Sequence, residues 1–161
     1  MASNASGQAL ADLIVFQSQG WGTLGVDVAA HMPGTKPQPL RIQDKTYDSG
    51  LGTHAPGEMV LLLDGQYQTF EAEVGVQWQG GRTGSVAMQV FVDDKKAFDS
   101  GVLKETSAPV PVKVDVKGAT ELRLVATDGG DGIVCDLANW ANARLLPDPD
   151  AKTVVPGVDV D

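Results

Sequence analysis

The chain has 161 residues and a formal net charge of −9, from 12 basic and 21 acidic side chains, which is one domain's worth of sequence. That balance excludes a nucleic-acid binder, which needs a basic footprint, and a protein that docks on an anionic membrane surface. At 42% hydrophobic and 20% charged it is a globular chain, and its single cysteine, Cys135, excludes an intrachain disulfide, Cys-rich zinc sites and iron–sulfur clusters.

In chain order, residues 1–9 read as a cloning remnant or linker, without the basic and apolar regions of a secretory signal. Gly20-Trp21-Gly22 reads as loop. Residues 26–39 hold three prolines and His31 and read as a long surface loop, of the kind that carries function. Leu51-Gly52-Thr53-His54-Ala55-Pro56 reads as a glycine-punctuated loop ahead of a strand. The strand, 58–63, is nearly all apolar and so is expected to be central and buried on both faces. Asp64-Gly65 then makes a turn, and 70–76 a second strand. Ser85 to Val92 is the clearest strand, with Val86, Met88, Val90 and Val92 on one face. A turn at Val92-Asp93-Asp94-Lys95 follows. In 111–116 the valines face in, with Lys113 and Asp115 out. After a turn at Lys117-Gly118-Ala119, 121–126 alternates charge with leucine. Residues 140–145 read as a last strand, and 147–161 as a Pro/Asp-rich linker or tail. Short alternating segments between turn residues, without a long helical period, define an all-β sandwich or barrel over residues 10–146.

The motifs of enzymes are missing. The chain has no Gly-x-Ser-x-Gly elbow, no phosphate-binding glycine loop and no His-Glu-x-x-His. Cys135 sits in a strand-like context and reads as a buried, inert thiol. Three groups of residues could carry binding. His54 can donate to or accept from a sugar hydroxyl, or else close a turn as a structural histidine. In Thr127-Asp128-Gly129-Gly130-Asp131-Gly132, Asp128 and Asp131, with nearby Asp136, offer hard oxygen ligands for Ca²⁺, or else a tight strand connection; the spacing is not that of an EF-hand. The tryptophans differ in context: Trp21 in a loop, Trp78 between Gln77 and Gln79 and expected to be exposed, and Trp140 expected in the core. An exposed indole can stack on the apolar face of a sugar.

Taken in order, Gly20-Trp21-Gly22, residues 46–56, 70–76, Gly84-Ser85-Val86, 99–103, 108–112, 122–133 and 136–145 resemble the NPCBM domain, also known as carbohydrate-binding module family 51. Each motif alone is weak, and their colinear order is specific. The resemblance implies a jelly-roll β-sandwich of the galactose-binding-domain type. It implies a non-catalytic, lectin-like module, monomeric and tethered to further domains of a longer secreted or cell-surface protein such as a glycoside hydrolase. It also implies a galactose-type glycan as partner and a structural Ca²⁺. Trp21 or Trp78 would be the stacking ring, with His54 and Asn139 as hydrogen-bonding groups. Two departures stand out. The family pattern has Asp where this chain has Gln77, and Asp-His-Ala-Asp-Trp where residues 136–140 read Asp-Leu-Ala-Asn-Trp. If these positions line the ligand loops, the sugar preference shifts or binding is lost, leaving a structural or protein-interaction sandwich. The net negative charge makes a neutral sugar the expected ligand.

Overall fold

A computed structural model describes residues 7–81, 84–129 and 136–151. Cys135 lies outside these residues. The chain enters through a short helix, α1 (Gly7–Ala11), and then forms strands almost throughout. These are β1 (Ile14–Gln19), β2 (Gly25–Val26), β3 (Leu40–Ile42), β4 (Lys45–Tyr47), β5 (Gly50–His54) and β6 (Gly57–Leu62), then β7 (Tyr67–Val76), β8 (Ser85–Val92), β9 (Lys95–Lys104), β10 (Val110–Asp115), β11 (Glu121–Thr127) and β12 (Leu137–Pro147). They build two antiparallel five-stranded sheets, ordered β1-β6-β11-β8-β9 and β10-β7-β12-β5-β2, with β3-β4 as a separate hairpin.

Alternation along the strands sets the inner faces. Val86, Met88 and Val90 of β8 and Leu122, Leu124 and Ala126 of β11 are buried, as are Val112 and Val114 of β10. They meet Phe70, Val74 and Trp140 from the opposite sheet in one core. This is the all-β sandwich expected from period-two patterning. Trp140 is fully buried, with its ring 6.3 Å from that of Phe70. The β8–β9 turn has Asp93 and Asp94 at φ 46° and 69°, the left-handed pair that matches strand twist. The Asp93 carboxylate accepts the amides of Thr120 and Glu121 at 3.0 Å, which ties the turn to the start of β11.

Two expectations change. β6 lies inside its sheet but is buried on one face only: Val60 is half-buried and Leu62 is 41% exposed. Its apolar outer face reflects β-branched and aliphatic composition rather than a covering layer. Residues 50–54 are not a loop. They form β5, buried at all five positions between β2 and β12. Glycine reads as a turn former, but at Gly52 it serves close approach: a Cβ there would lie 2.6 Å from the Val28 carbonyl oxygen.

The β3–β4 hairpin covers the outer face of β7 and β12 through Leu40, Ile42, Tyr47 and Ala141. At its rim, Glu73 accepts from Lys45 Nζ (3.0 Å) and the Tyr47 hydroxyl (2.8 Å). Burial alone would raise the Glu73 carboxyl; the bonds from Lys45 and Tyr47 and the charges of Lys45 and Arg144 outweigh it and hold it below its usual value. Burial, then the bond and charge of Glu73, push the Tyr47 phenol up. A depressed carboxyl stabilises the fold above its unfolded pKa and loses that contribution as pH falls through the folded one. Glu73→Gln is therefore expected to melt below wild type at neutral pH, the gap closing as pH drops beneath the ordinary carboxylate range. Paired melting curves across pH check this, and a gap independent of pH contradicts it.

Candidate functional site

Where β7 ends and β12 begins, the loop over residues 27–39 folds back across the sheet and leaves a cleft of about 710 Å³. The loop is seated by glycine as described for β5 and by the Ala29 amide bonding the Gln38 carbonyl (2.9 Å). Its first half is closed by a bridge between Thr23 and His31, with the Thr23 hydroxyl also donating to the His31 carbonyl at 3.0 Å. Inside the loop, the Thr35 hydroxyl donates to the Met32 carbonyl at 2.6 Å.

Two tryptophans stand on the cleft. Trp21, 43% exposed, and Trp78 both line it, together with Gln79 and Gly80. Trp78 is half-buried, not exposed as its flanking glutamines implied. The Arg41 guanidinium, itself at the cleft, lies over its ring, 5.1 Å from the centroid, so a cation rests on this indole. Its loop is fixed from behind by Glu105, a buried carboxylate that accepts from the amides of Gln79 and Gly81. Glu105 and Arg41 carry no sequence signal of this kind, because their roles come from residues tens of positions away.

His54 and Asn139, expected as sugar-facing groups, do not line the cleft. His54 is 5% exposed. Its Nδ1 donates to the Ala55 carbonyl at 2.6 Å, and its ring lies 5.7 Å from that of Trp21, so it supports the tryptophan from the sheet. Asn139 is fully buried. Its Nδ2 donates to Gln77 Oε1 at 2.7 Å and to the Arg41 carbonyl at 3.3 Å. Gln77 in turn accepts the Arg41 amide (3.0 Å) and donates to the Pro39 carbonyl (3.0 Å). The two amides that stand in place of carboxylates are thus bonded to each other. Together they clamp the 39–41 segment that forms the cleft floor.

This pairing makes a prediction. Asn139→Asp removes both donor bonds and sets a carboxylate against the Gln77 and Arg41 oxygens in a buried site. A loss of about 1–3 kcal/mol or more is expected, read as a lowered denaturation midpoint. Unchanged stability would show that the amide pair holds nothing.

The aspartates are placed only in part. Ser85 joins two of them, its amide donating to Asp136 Oδ1 (2.9 Å) and its hydroxyl to the Asp128 carbonyl (3.3 Å). Asp131 lies outside the described residues. Among the described residues no three His, Cys, Asp or Glu side chains come together as a metal cage.

A half-open cleft with two indoles, a few amides and cations on a rigid antiparallel sandwich defines a small-ligand binding domain. The model of the NPCBM/NEW2 domain matches residues 8–146, and the chain belongs to the NPCBM family. Among solved structures, the CBM51 of GH95 from Clostridium perfringens in complex with methyl-galactose is 32% identical, with a TM-score of 0.76 over 82% of this chain and 93% of that one. The CBM51-2 and INT domains of ZmpB from the same organism, in complex with GlcNAc, are 26% identical, with a TM-score of 0.78 over 86% of this chain and 31% of that one. A Renibacterium salmoninarum protein described as "Putative endo-alpha-N-acetylgalactosaminidase" is 29% identical over 131 residues, 80% of this chain. The chain spans 9% of that protein's length. The galactose-binding-like β-sandwich expected from the sequence is thereby shown.

Proposed function

We propose that the chain is a non-catalytic carbohydrate-binding module that holds a galactose-type sugar in the Trp21–Trp78 cleft, and so keeps a longer secreted or cell-surface protein close to a glycan. The observation that carries this reading is the cleft itself. Two indoles face one space of about 710 Å³, within the range of small-ligand sites, in a fold shared with modules solved with methyl-galactose and GlcNAc. Stacking on an indole serves the apolar face of a sugar, and Gln38, Thr46 and Gln79 at the cleft offer hydroxyls both donors and acceptors. Affinity is expected to be weak, because each bond to a sugar hydroxyl replaces one to water, and useful through effective concentration on a multidomain protein. Calorimetric titration with methyl β-galactoside and GlcNAc tests the reading. Saturable binding of methyl β-galactoside supports it, binding of GlcNAc alone keeps the binding role and overturns the galactose-type preference, and a folded protein that binds neither, nor any glycan on an array, contradicts it.

The same reading includes one structural Ca²⁺ at Asp128, Asp131 and Asp136. Ser85 bonds the Asp136 carboxylate and the Asp128 backbone carbonyl, which brings these two residues to one place, and Asp131 is the one outside the described residues. Ligand that binds only the folded chain raises its melting temperature, so EGTA is expected to lower it and added Ca²⁺ to restore it. A melting temperature unmoved by EGTA removes the ion from the account.

A further inference from the structure

Building on the proposed sugar-binding role, we propose that the glycan held in this cleft carries an anionic substituent, a carboxylate or a sulfate ester, seated on Arg41 and Lys36. The sign of the cleft is opposite to that of the chain. The whole carries −9, yet Lys36, Arg41 and His31 line the cleft and, among the described residues, no aspartate or glutamate does. The neutral ligand expected from net charge is therefore revised by where the charges sit.

Arg41 carries the argument. Of the described arginines, Arg123 pairs with Glu58 at 3.1 Å and Arg144 with Glu71 at 2.6 Å. Arg41 has no carboxylate partner among the described residues, in a chain with 21 acidic side chains to choose from. Its orientation is nevertheless fixed. Nε donates to the Gln43 carbonyl at 2.7 Å, and the guanidinium rests on the Trp78 ring. The terminal nitrogens make no hydrogen bond to a described residue. A planar fork, held in place with its donors unused, matches a carboxylate or sulfate in two-point fashion. Hydroxyls alone do not require a full positive charge, since amides bond them equally well. The buried carboxylate of Glu105 makes no ion pair with the fork; its Oε1 accepts from the backbone amides of Gln79 and Gly81. Lys36, exposed on the loop, lines the same cleft and adds a second positive charge.

The test compares calorimetric affinities for methyl β-galactoside, galactose 6-sulfate and galacturonic acid. At least one anionic probe is expected to bind about tenfold tighter than the neutral one, and which arm shows the gain tells sulfate from carboxylate. The ratio is expected to shrink with added salt and to fall toward one in Arg41→Gln combined with Lys36→Gln. The ratio is the readout, because Arg41 also supports Trp78. Neutral binding with no anionic gain overturns this inference and leaves the sugar-binding role standing. An anionic gain that survives high salt or the double variant also overturns it. A folded protein that binds none of the three, nor any glycan on an array, overturns the sugar-binding role and this inference with it.

Discussion

Trp78→Ala is expected to weaken glycan binding by about thirtyfold, or beyond detection for so weak a site, while leaving the fold intact. The ring supplies a cleft wall and is the platform on which Arg41 lies. Truncating it removes the stacking surface and frees the guanidinium together. Buried aromatic anchors of this kind cost 2 kcal/mol or more when cut to alanine, roughly a thirtyfold change in affinity. The fold should survive because the residue's structural bond is backbone, its amide donating to the Arg41 carbonyl at 2.9 Å. Calorimetry beside a melting curve checks both halves. Unaltered affinity would move the site away from this cleft. Trp21→Ala should act in the same direction, since Trp21 is exposed and rests on His54.

Trp140→Ala is expected to do the reverse, costing about 3–5 kcal/mol of stability. That is a large share of the roughly 5–15 kcal/mol that a domain has to lose. Trp140 is fully buried against Phe70 in the central strand of its sheet. Its indole nitrogen has no hydrogen-bond partner among the described residues, so the loss is one of packing volume. Trp140→Phe should be much milder, because it keeps an aromatic ring in place and deletes a buried N–H. Chemical denaturation of both variants decides the point; a small loss in Trp140→Ala would mean the core can close over the gap.

The core was legible in the sequence because strands write their inner face at every second residue. Val86, Met88 and Val90, or Val112 and Val114, could be assigned by alternation alone. β5 was not, because Gly50, Gly52, Thr53 and His54 look like turn chemistry until the 28–30 segment is seen packed on the glycine side. The tryptophans of the cleft were legible as indoles in polar, glycine-rich contexts. Their supports were not. Arg41 reaches Trp78 and Glu105 reaches Gln79 across long stretches of chain, and nothing local announces such a contact. Asn139 shows the limit most clearly. Beside a tryptophan it reads as a ligand group, yet it faces inward to Gln77. The departures at Gln77 and Asn139 concern the cleft floor rather than its walls. They pair two neutral amides at 2.7 Å, where two carboxylates would repel. Net charge was also a poor guide to the cleft: the chain carries −9, while Lys36, Arg41 and His31 line the site.

The central claim is that a sugar sits between Trp21 and Trp78. The three tryptophans provide their own control, two on the cleft and one in the core. A nitrogen–proton correlation NMR titration with methyl β-galactoside, repeated with galactose 6-sulfate, reads their indole signals separately. The account predicts that the Trp21 and Trp78 indoles shift and saturate together while Trp140 stays fixed. Shifts confined to other surfaces, with both cleft indoles unmoved at saturation, would contradict it.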